Sequence, residues 1–135
     1  MGDEIFMPDI TEISAASFHS EVTEAVEPVV VEFYSETCPH CTMFKPVYEE
    51  LSEILKGVKF VKLNVPISKD HEILAQSRGV RQLPTLEVFY KGRAFGSVVG
   101  YHDLDSVNKA IQDILSRKDE NIGPSTPFKY SISSS

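Results

Sequence analysis

The feature that most constrains the fold is the run Val29 to Ser35, "VVVEFYS", which leads within a few residues into an amphipathic segment. An unbroken apolar run of this kind is typical of a central strand that is covered on both faces. From Pro39 to about Leu55 the apolar residues recur at three- and four-residue spacing, which predicts a helix with one buried stripe. A strand followed by such a helix favours a layered α/β domain.

Strands and helices continue to alternate along the chain. The other predicted strands are Ile10 to Ile13, Val58 to Val65, Thr85 to Tyr90 and Phe95 to Gly100, with a tight turn at Lys91 and Gly92. The other predicted helices run from Ser14 or Ser17 to about Ala25, from Ser68 to Gln76, and from a cap near Asp103 to Leu115. The order βαβαβαββα predicts a central mixed β-sheet flanked by helices.

The length of 135 residues predicts one domain, which we place at residues 10–118. We expect residues 1–9 to form an N-terminal extension. Residues 119–135 are rich in Ser and Pro and are expected to form a disordered tail. Because Phe128, Tyr130 and Ile132 alternate with polar residues, an additional strand or a docked segment is the alternative.

The charge and hydropathy of the chain exclude several classes of partner. The formal net charge of -7 argues against a nucleic-acid partner, because phosphate binding requires clustered Lys and Arg. No apolar run reaches the roughly eighteen residues that a membrane span needs. The first ten residues carry acids where a secretory signal would carry bases, so we expect a cytoplasmic protein. An exported form that has lost its signal is the alternative. We also expect a monomer.

The two cysteines of the chain, Cys38 and Cys41, lie in "TCPHC" at the start of the predicted helix. Pro39 suits the first helical turn, where a missing N–H costs nothing. The free N–H groups and the dipole of the helix favour the thiolate of Cys38, which makes it the nucleophile. Cys41 lies on the same helical face but deeper. This arrangement predicts a two-step exchange, in which Cys38 attacks a disulfide and Cys41 then resolves the mixed disulfide.

Three other interpretations of the cysteine pair remain open. A structural disulfide across so short a loop would stabilise the fold only slightly. A structural zinc site needs about four ligands, and the chain has no second pair with metal-ligand spacing. Two inert buried thiols would be poorly placed at a helix start that contains a proline.

Taken together, several separated motifs resemble the thioredoxin family over Ile10 to Lys118. They are "VVVEFYSETCPHC", Pro46 five residues after the second cysteine, "FVKLNV" with Lys62, "GVRQLPTLEVFYKGR", and Gly100. The chain departs from the family in having Pro39-His40 between the cysteines, Tyr34 and Thr37 in place of two tryptophans, and Pro66 after the third strand.

The resemblance implies a thioredoxin fold and a cis peptide bond between Leu83 and Pro84, beside the cysteines. An extended substrate segment would pair with the backbone of Leu83, and Thr37 would also belong to the substrate-binding residues. The alternative for Pro84 is an ordinary proline that opens a strand.

The resemblance also implies that Glu32 is the acid that moves the proton of Cys41. Independently, a carboxylate on a central strand is costly unless it is neutral or paired, so the pKa of Glu32 should rise. Lys62, on the neighbouring strand, is the candidate partner. A glutamate that faces solvent is the alternative.

We therefore expect a thiol-disulfide oxidoreductase that reduces protein disulfides, receives electrons from a thioredoxin-reductase-like donor, and needs no bound cofactor or metal. The Pro-His insert resembles that of bacterial disulfide-forming oxidases. Because of His40, we therefore expect the reduction potential of the Cys38–Cys41 pair to be more oxidising than that of thioredoxin. The alternatives are a disulfide oxidase or isomerase and, in a different class, a redox-inert peptide-binding module.

Overall fold

The computed structural model describes residues 8–119. The strands are β1 (Ile10–Glu12), β2 (Val29–Tyr34), β3 (Lys59–Asn64), β4 (Thr85–Tyr90) and β5 (Arg93–Val99). The longer helices are α1 (Pro39–Ile54), α2 (Lys69–Ser77) and α3 (Leu104–Ser116). Short helical segments occur at His19–Thr23, Val65–Ile67 and Arg117–Asp119. The predicted order of elements is confirmed. Most of the predicted N-terminal extension and nearly all of the predicted tail, including Phe128, Tyr130 and Ile132, lie outside the described residues.

The five strands form one mixed sheet in the order β1-β3-β2-β4-β5. β1, β3 and β2 run parallel to one another, whereas β4 is antiparallel to β2 and β5 is antiparallel to β4. The apolar run of β2 therefore occupies the centre of the sheet, as its composition predicts. Within residues 8–119, no helix has both the length and the apolar character that a membrane span would require.

Two apolar layers cover the sheet on opposite faces. α1 and α3 pack on one face against Val30, Phe60 and neighbouring side chains. α2 and the segment His19–Thr23 pack on the other face, against a layer that includes Val31. Because side chains alternate along a strand, Glu32 points to the same face as Val30, toward α1.

The first predicted helix is much shorter than expected. The sequence predicts a helix from Ser14 or Ser17 to about Ala25, but the helical segment spans only His19–Thr23 and has no side-chain cap. Ser14 and Ser17 instead bond to each other: each backbone N–H donates to the hydroxyl of the other serine, at 3.0 and 3.2 Å. The hydroxyls that were expected to cap a helix thus stabilise a turn before it.

The other predicted helix starts and the hairpin turn are confirmed. Ser68 accepts a hydrogen bond from the N–H of His71 at the start of α2, and Asp103 accepts one from Ser106 at the start of α3. Lys91 and Gly92 have φ values of 51° and 80°. Two consecutive residues of positive φ match the twist of a two-residue hairpin turn between β4 and β5.

Tyr48 fixes α1 against the centre of the sheet. Its ring is 1% exposed, and its hydroxyl lies 3.0 Å from the carbonyl oxygen of Val30 and 2.7 Å from that of Val61. These carbonyls belong to β2 and β3, so one hydroxyl connects the helix that carries both cysteines to two neighbouring strands.

We predict that Tyr48→Phe lowers the free energy of unfolding by about 1 to 2 kcal/mol, because it removes a buried hydrogen bond without removing the ring. Urea denaturation measures this change. Tyr101→Phe is the matched control, since the Tyr101 ring contacts Phe44 in the same layer but no hydrogen bond of its hydroxyl is seen within residues 8–119. Equal losses of stability in the two variants would contradict the role of the Tyr48 hydroxyl.

Candidate active site

The junction between β2 and α1 places the sulfur of Cys38 over the start of the helix. Cys38 has extended backbone angles, φ -90° and ψ 120°, and is the capping residue of α1. Its Sγ accepts a hydrogen bond from the backbone N–H of Cys41 at 3.3 Å. Pro39 is the first helical residue, as predicted. Sulfur at this position takes the place that a Ser or Asp oxygen usually occupies.

The two cysteines differ in their exposure to solvent. Cys38 is half-buried, whereas Cys41 is 4% exposed, and both are free thiols. Burial, together with a hydrogen bond to Cys38, raises the pKa of the Cys41 thiol to about 12. Cys41 is therefore a neutral thiol near pH 7 and needs a base before it can attack another sulfur.

The loop before β4 lies against the reactive sulfur. The peptide bond between Leu83 and Pro84 is cis, as the family resemblance implies. The thiol of Cys38 is 3.6 Å from the carbonyl oxygen of Leu83 and donates to it. The carbonyl oxygen of Pro84 accepts from the N–H of Gly100 at 2.8 Å, which ties this loop to the end of β5.

Glu32 is buried in the middle of β2, so the alternative of a solvent-facing side chain is wrong. It is 4% exposed. Burial raises its pKa to about 8; the positive charge of Lys62 opposes this rise, and the negative charge of Glu12 adds to it. The predicted direction of the shift is confirmed. Glu32 is consequently protonated in most molecules at neutral pH.

Lys62 lies on the strand next to Glu32, as predicted, but its ion pair is with a different carboxylate. It lies directly across from Glu32 in the register of β2 and β3. Its ammonium, however, pairs with Glu12 of β1, at 3.8 Å. Glu12 also accepts a hydrogen bond from the hydroxyl of Tyr34 at 2.8 Å. The sequence analysis did not single out Glu12, because its neighbours become evident only when the order of the strands is known.

A pocket of about 280 Å³ connects the buried carboxyl and the buried thiol with the surface. Its lining residues are predominantly polar or ionisable: Glu32, Tyr34, Ser35, Glu36, Cys41, Thr42, Lys45 and Lys62. A space of this size and polarity has room for water, which would allow protons to move between Cys41, Glu32 and solvent.

The remaining predicted site residues lie on the exposed rim. Thr37 is exposed, and its backbone N–H donates to the hydroxyl of Ser35 at 3.2 Å, which orders the turn before Cys38. His40 is also exposed and has no hydrogen-bond partner within residues 8–119. In this part of the chain, no group of three or more His, Cys, Asp and Glu side chains is arranged to hold a metal ion.

Comparison with known proteins identifies the family. Residues 9–113 match the family model described as Thioredoxin. A thioredoxin of Rickettsia felis is 34% identical over 104 residues, which cover 73% of this chain and 96% of that protein. Protein disulfide-isomerase 2-3 of Arabidopsis thaliana is 34% identical over 123 residues, covering 87% of this chain but 27% of that protein.

A solved structure supports the same assignment. The crystal structure of thioredoxin F from spinach chloroplast, in its short form, superposes with a TM-score of 0.71 at 28% sequence identity. The match covers 83% of this chain and 98% of the spinach chain. The chain therefore belongs to the thioredoxin family of thiol-disulfide oxidoreductases.

Proposed function

We propose that this protein reduces disulfide bonds of other proteins through Cys38 and Cys41. The supporting observation is that the half-buried Cys38 sulfur caps α1, in contact with the N–H of the buried Cys41 and beside the carbonyl of Leu83. The Cys38 thiolate attacks a substrate disulfide, an S–S bond forms to Cys38, and the other substrate sulfur leaves as a thiolate. An extended substrate segment binds along Leu83, Pro84 and Thr37.

In the second step, Glu32 accepts the proton of Cys41 in those molecules in which its carboxyl is ionised, a minority near pH 7. The resulting thiolate attacks Cys38 Sγ, an intramolecular disulfide forms, and the second substrate sulfur leaves with its electron pair. The substrate has then gained two electrons and the protein has lost two. A base with a pKa raised toward that of a thiol suits this transfer better than an ordinary carboxylate does.

Repeated turnover requires that the Cys38–Cys41 disulfide be reduced again. We assign this task to a thioredoxin-reductase-like donor, and the two sulfurs themselves carry the electrons, so the exchange uses no bound cofactor. Because net reduction depends on such a donor, the proposal places the protein in a reducing compartment such as the cytoplasm.

We predict that wild-type protein catalyses reduction of insulin by dithiothreitol and that Cys38→Ser does not. Cys41→Ser keeps the nucleophile but lacks the resolving thiol, so it accumulates a mixed disulfide with substrate, which non-reducing electrophoresis and mass spectrometry detect. Equal activity of wild type and Cys38→Ser, or activity in neither, would contradict the proposal and favour a redox-inert peptide-binding module.

We predict that Glu32→Gln slows substrate release from the mixed disulfide about tenfold or more near pH 7, because no base then accepts the Cys41 proton. In wild type this rate rises with pH and levels off above about 8, where Glu32 is ionised. In the variant that inflection disappears. Stopped-flow measurement of release over a range of pH tests this, with Glu36→Gln, in the same pocket, as control. An unchanged profile in Glu32→Gln would exclude Glu32 as the base.

The pH dependence of the free energy of unfolding, compared between wild type and Glu32→Gln, also shows whether Glu32 is protonated in the folded protein. The folded carboxyl binds its proton more tightly than the unfolded one, with a pKa of about 8 against 4.5. Its contribution to stability is therefore complete below pH 4.5 and is lost as pH rises toward 8. Wild type should lose stability relative to Glu32→Gln across this interval, and a constant difference would contradict the buried, neutral carboxyl.

The direction of exchange in the cell depends on the reduction potential. His40 lies in the first turn of α1, two residues from the nucleophile, and one relative of the chain is named as a protein disulfide-isomerase. Both observations favour an oxidase or isomerase as the second candidate function.

We predict a reduction potential of the Cys38–Cys41 pair above about -270 mV, the thioredoxin value, because a hydrogen bond from the His40 ring to the Cys38 thiolate would stabilise the reduced form. His40→Ala should lower the potential, whereas His19→Ala, on the distant segment His19–Thr23, should leave it unchanged. Redox titration against glutathione measures both. A wild-type potential at or below about -270 mV would contradict the prediction.

A further inference from the structure

Three ionisable side chains form a row across neighbouring strands of the sheet. Glu12 of β1 lies opposite Lys62 of β3, and Lys62 lies opposite Glu32 of β2. All three follow at two-residue spacing from side chains that pack against α1 and α3, so they point to the same face of the sheet. One lysine thus has a carboxyl group on each side.

Of its two neighbouring carboxyl groups, Lys62 forms its ion pair with that of Glu12. Its ammonium is 3.8 Å from the carboxylate of Glu12 and 5.2 Å from the centre of the Tyr34 ring. The Tyr34 hydroxyl donates to the same carboxylate at 2.8 Å, which holds Glu12 in place. The side chain of Glu12 is 48% exposed, whereas Glu32 is 4% exposed.

We propose that Glu12 is a positioning residue for proton transfer: by pairing with the Lys62 ammonium, it keeps that charge from pairing with Glu32 and so sets how readily Glu32 exchanges a proton with Cys41. The proposal rests on the assignment of Glu32 as the base for Cys41. Tyr34 supports Glu12 in this role through its hydrogen bond. When Glu32 takes up or loses its proton, Lys62 moves between the two carboxyl groups, since its side chain is long enough to approach either neighbouring strand.

Among the groups around Glu32, Lys62 and Glu12 are the two charges that shift its pKa. Titratable or charged groups face it, or the pocket it lines, from four elements: Glu12 of β1, Tyr34 of β2, Lys62 of β3, and Cys41, Lys45 and Tyr48 of α1, with Glu36 in the turn before α1. Burial raises the pKa of Tyr48 well above its usual value and that of Cys41 to about 12, so both stay neutral near pH 7. From β4 the facing residue is Leu86, which is apolar.

The direct test is the titration of the Glu32 carboxyl carbon by nuclear magnetic resonance of protein with 13C-labelled glutamate, assigned with Glu32→Gln. In Glu12→Gln, Lys62 loses its partner and turns to Glu32, so the midpoint of Glu32 should fall by about one pH unit. Glu12→Asp keeps the charge and should retain most of the wild-type midpoint. Tyr34→Phe, which keeps the ring, should shift the midpoint less, in the same direction.

The chain offers a closely matched control. Glu21 pairs with Lys59, also on β3, at 2.8 Å. Lys59 points to the face opposite Lys62, because it lies an odd number of residues away along the strand. Glu21→Gln therefore makes the same change in charge and breaks an ion pair of the same strand, but the midpoint of Glu32 should not move.

A second comparison separates positioning from simple repulsion between two carboxylates. If Glu12 acts through Lys62, Glu12→Gln should shift the midpoint less than half as far in a Lys62→Gln background as in wild type. Equal shifts in both backgrounds, or no shift in Glu12→Gln, would overturn the inference. Failure of the proposed function is a separate result, namely unchanged resolution of the mixed disulfide in Glu32→Gln.

Discussion

The chemistry of this protein depends on one contact, in which the sulfur of Cys38 caps the first turn of α1. The central strand β2 ends just before this point, and the first N–H groups of the helix that follows need hydrogen-bond acceptors. Because the capping atom is sulfur, the group that completes the helix is also the group that reacts. The N–H of Cys41 both bonds to this sulfur and brings the second thiol within one turn of it. The same sulfur atom therefore caps the helix and carries out the first step of the exchange.

Burial then separates the accessible sulfur of Cys38 from two buried groups that hold their protons. Cys38 is accessible, Cys41 is neutral because it is buried, and Glu32 is neutral at most times for the same reason. Such an arrangement separates capture of a substrate from its release, since Cys41 cannot react until a proton has moved. The polar pocket beside both groups gives that proton a route. Glu12 and Lys62 extend the control of this step to the edge of the sheet.

Much of the fold could be predicted because local signals agreed with tertiary structure. The apolar run of β2, the stripe of α1 and the turn at Lys91 and Gly92 each specify one conformation. The prediction of the first helix was wrong because Ser14 and Ser17 can hydrogen-bond to each other as well as cap a helix. Sequence alone does not rank these two options.

The site was predictable to the extent that it is local or shared with the family. Spacing and helix position identified Cys38, Cys41 and Pro39, and resemblance supplied Glu32 and the cis bond at Pro84. The partner of Lys62 was not predictable in this way. Glu12 reaches Lys62 only because β1 adds beside β3, a pairing of residues fifty positions apart that no local pattern encodes.

The most direct test of the account is the alkylation of the fully reduced protein by iodoacetamide at neutral pH, with the modified positions located by peptide mass spectrometry. The account predicts that Cys38 reacts about ten times faster than Cys41 or more, and faster than a cysteine free in solution. Modification of Cys41 at a comparable rate, or of Cys38 no faster than free cysteine, would contradict it.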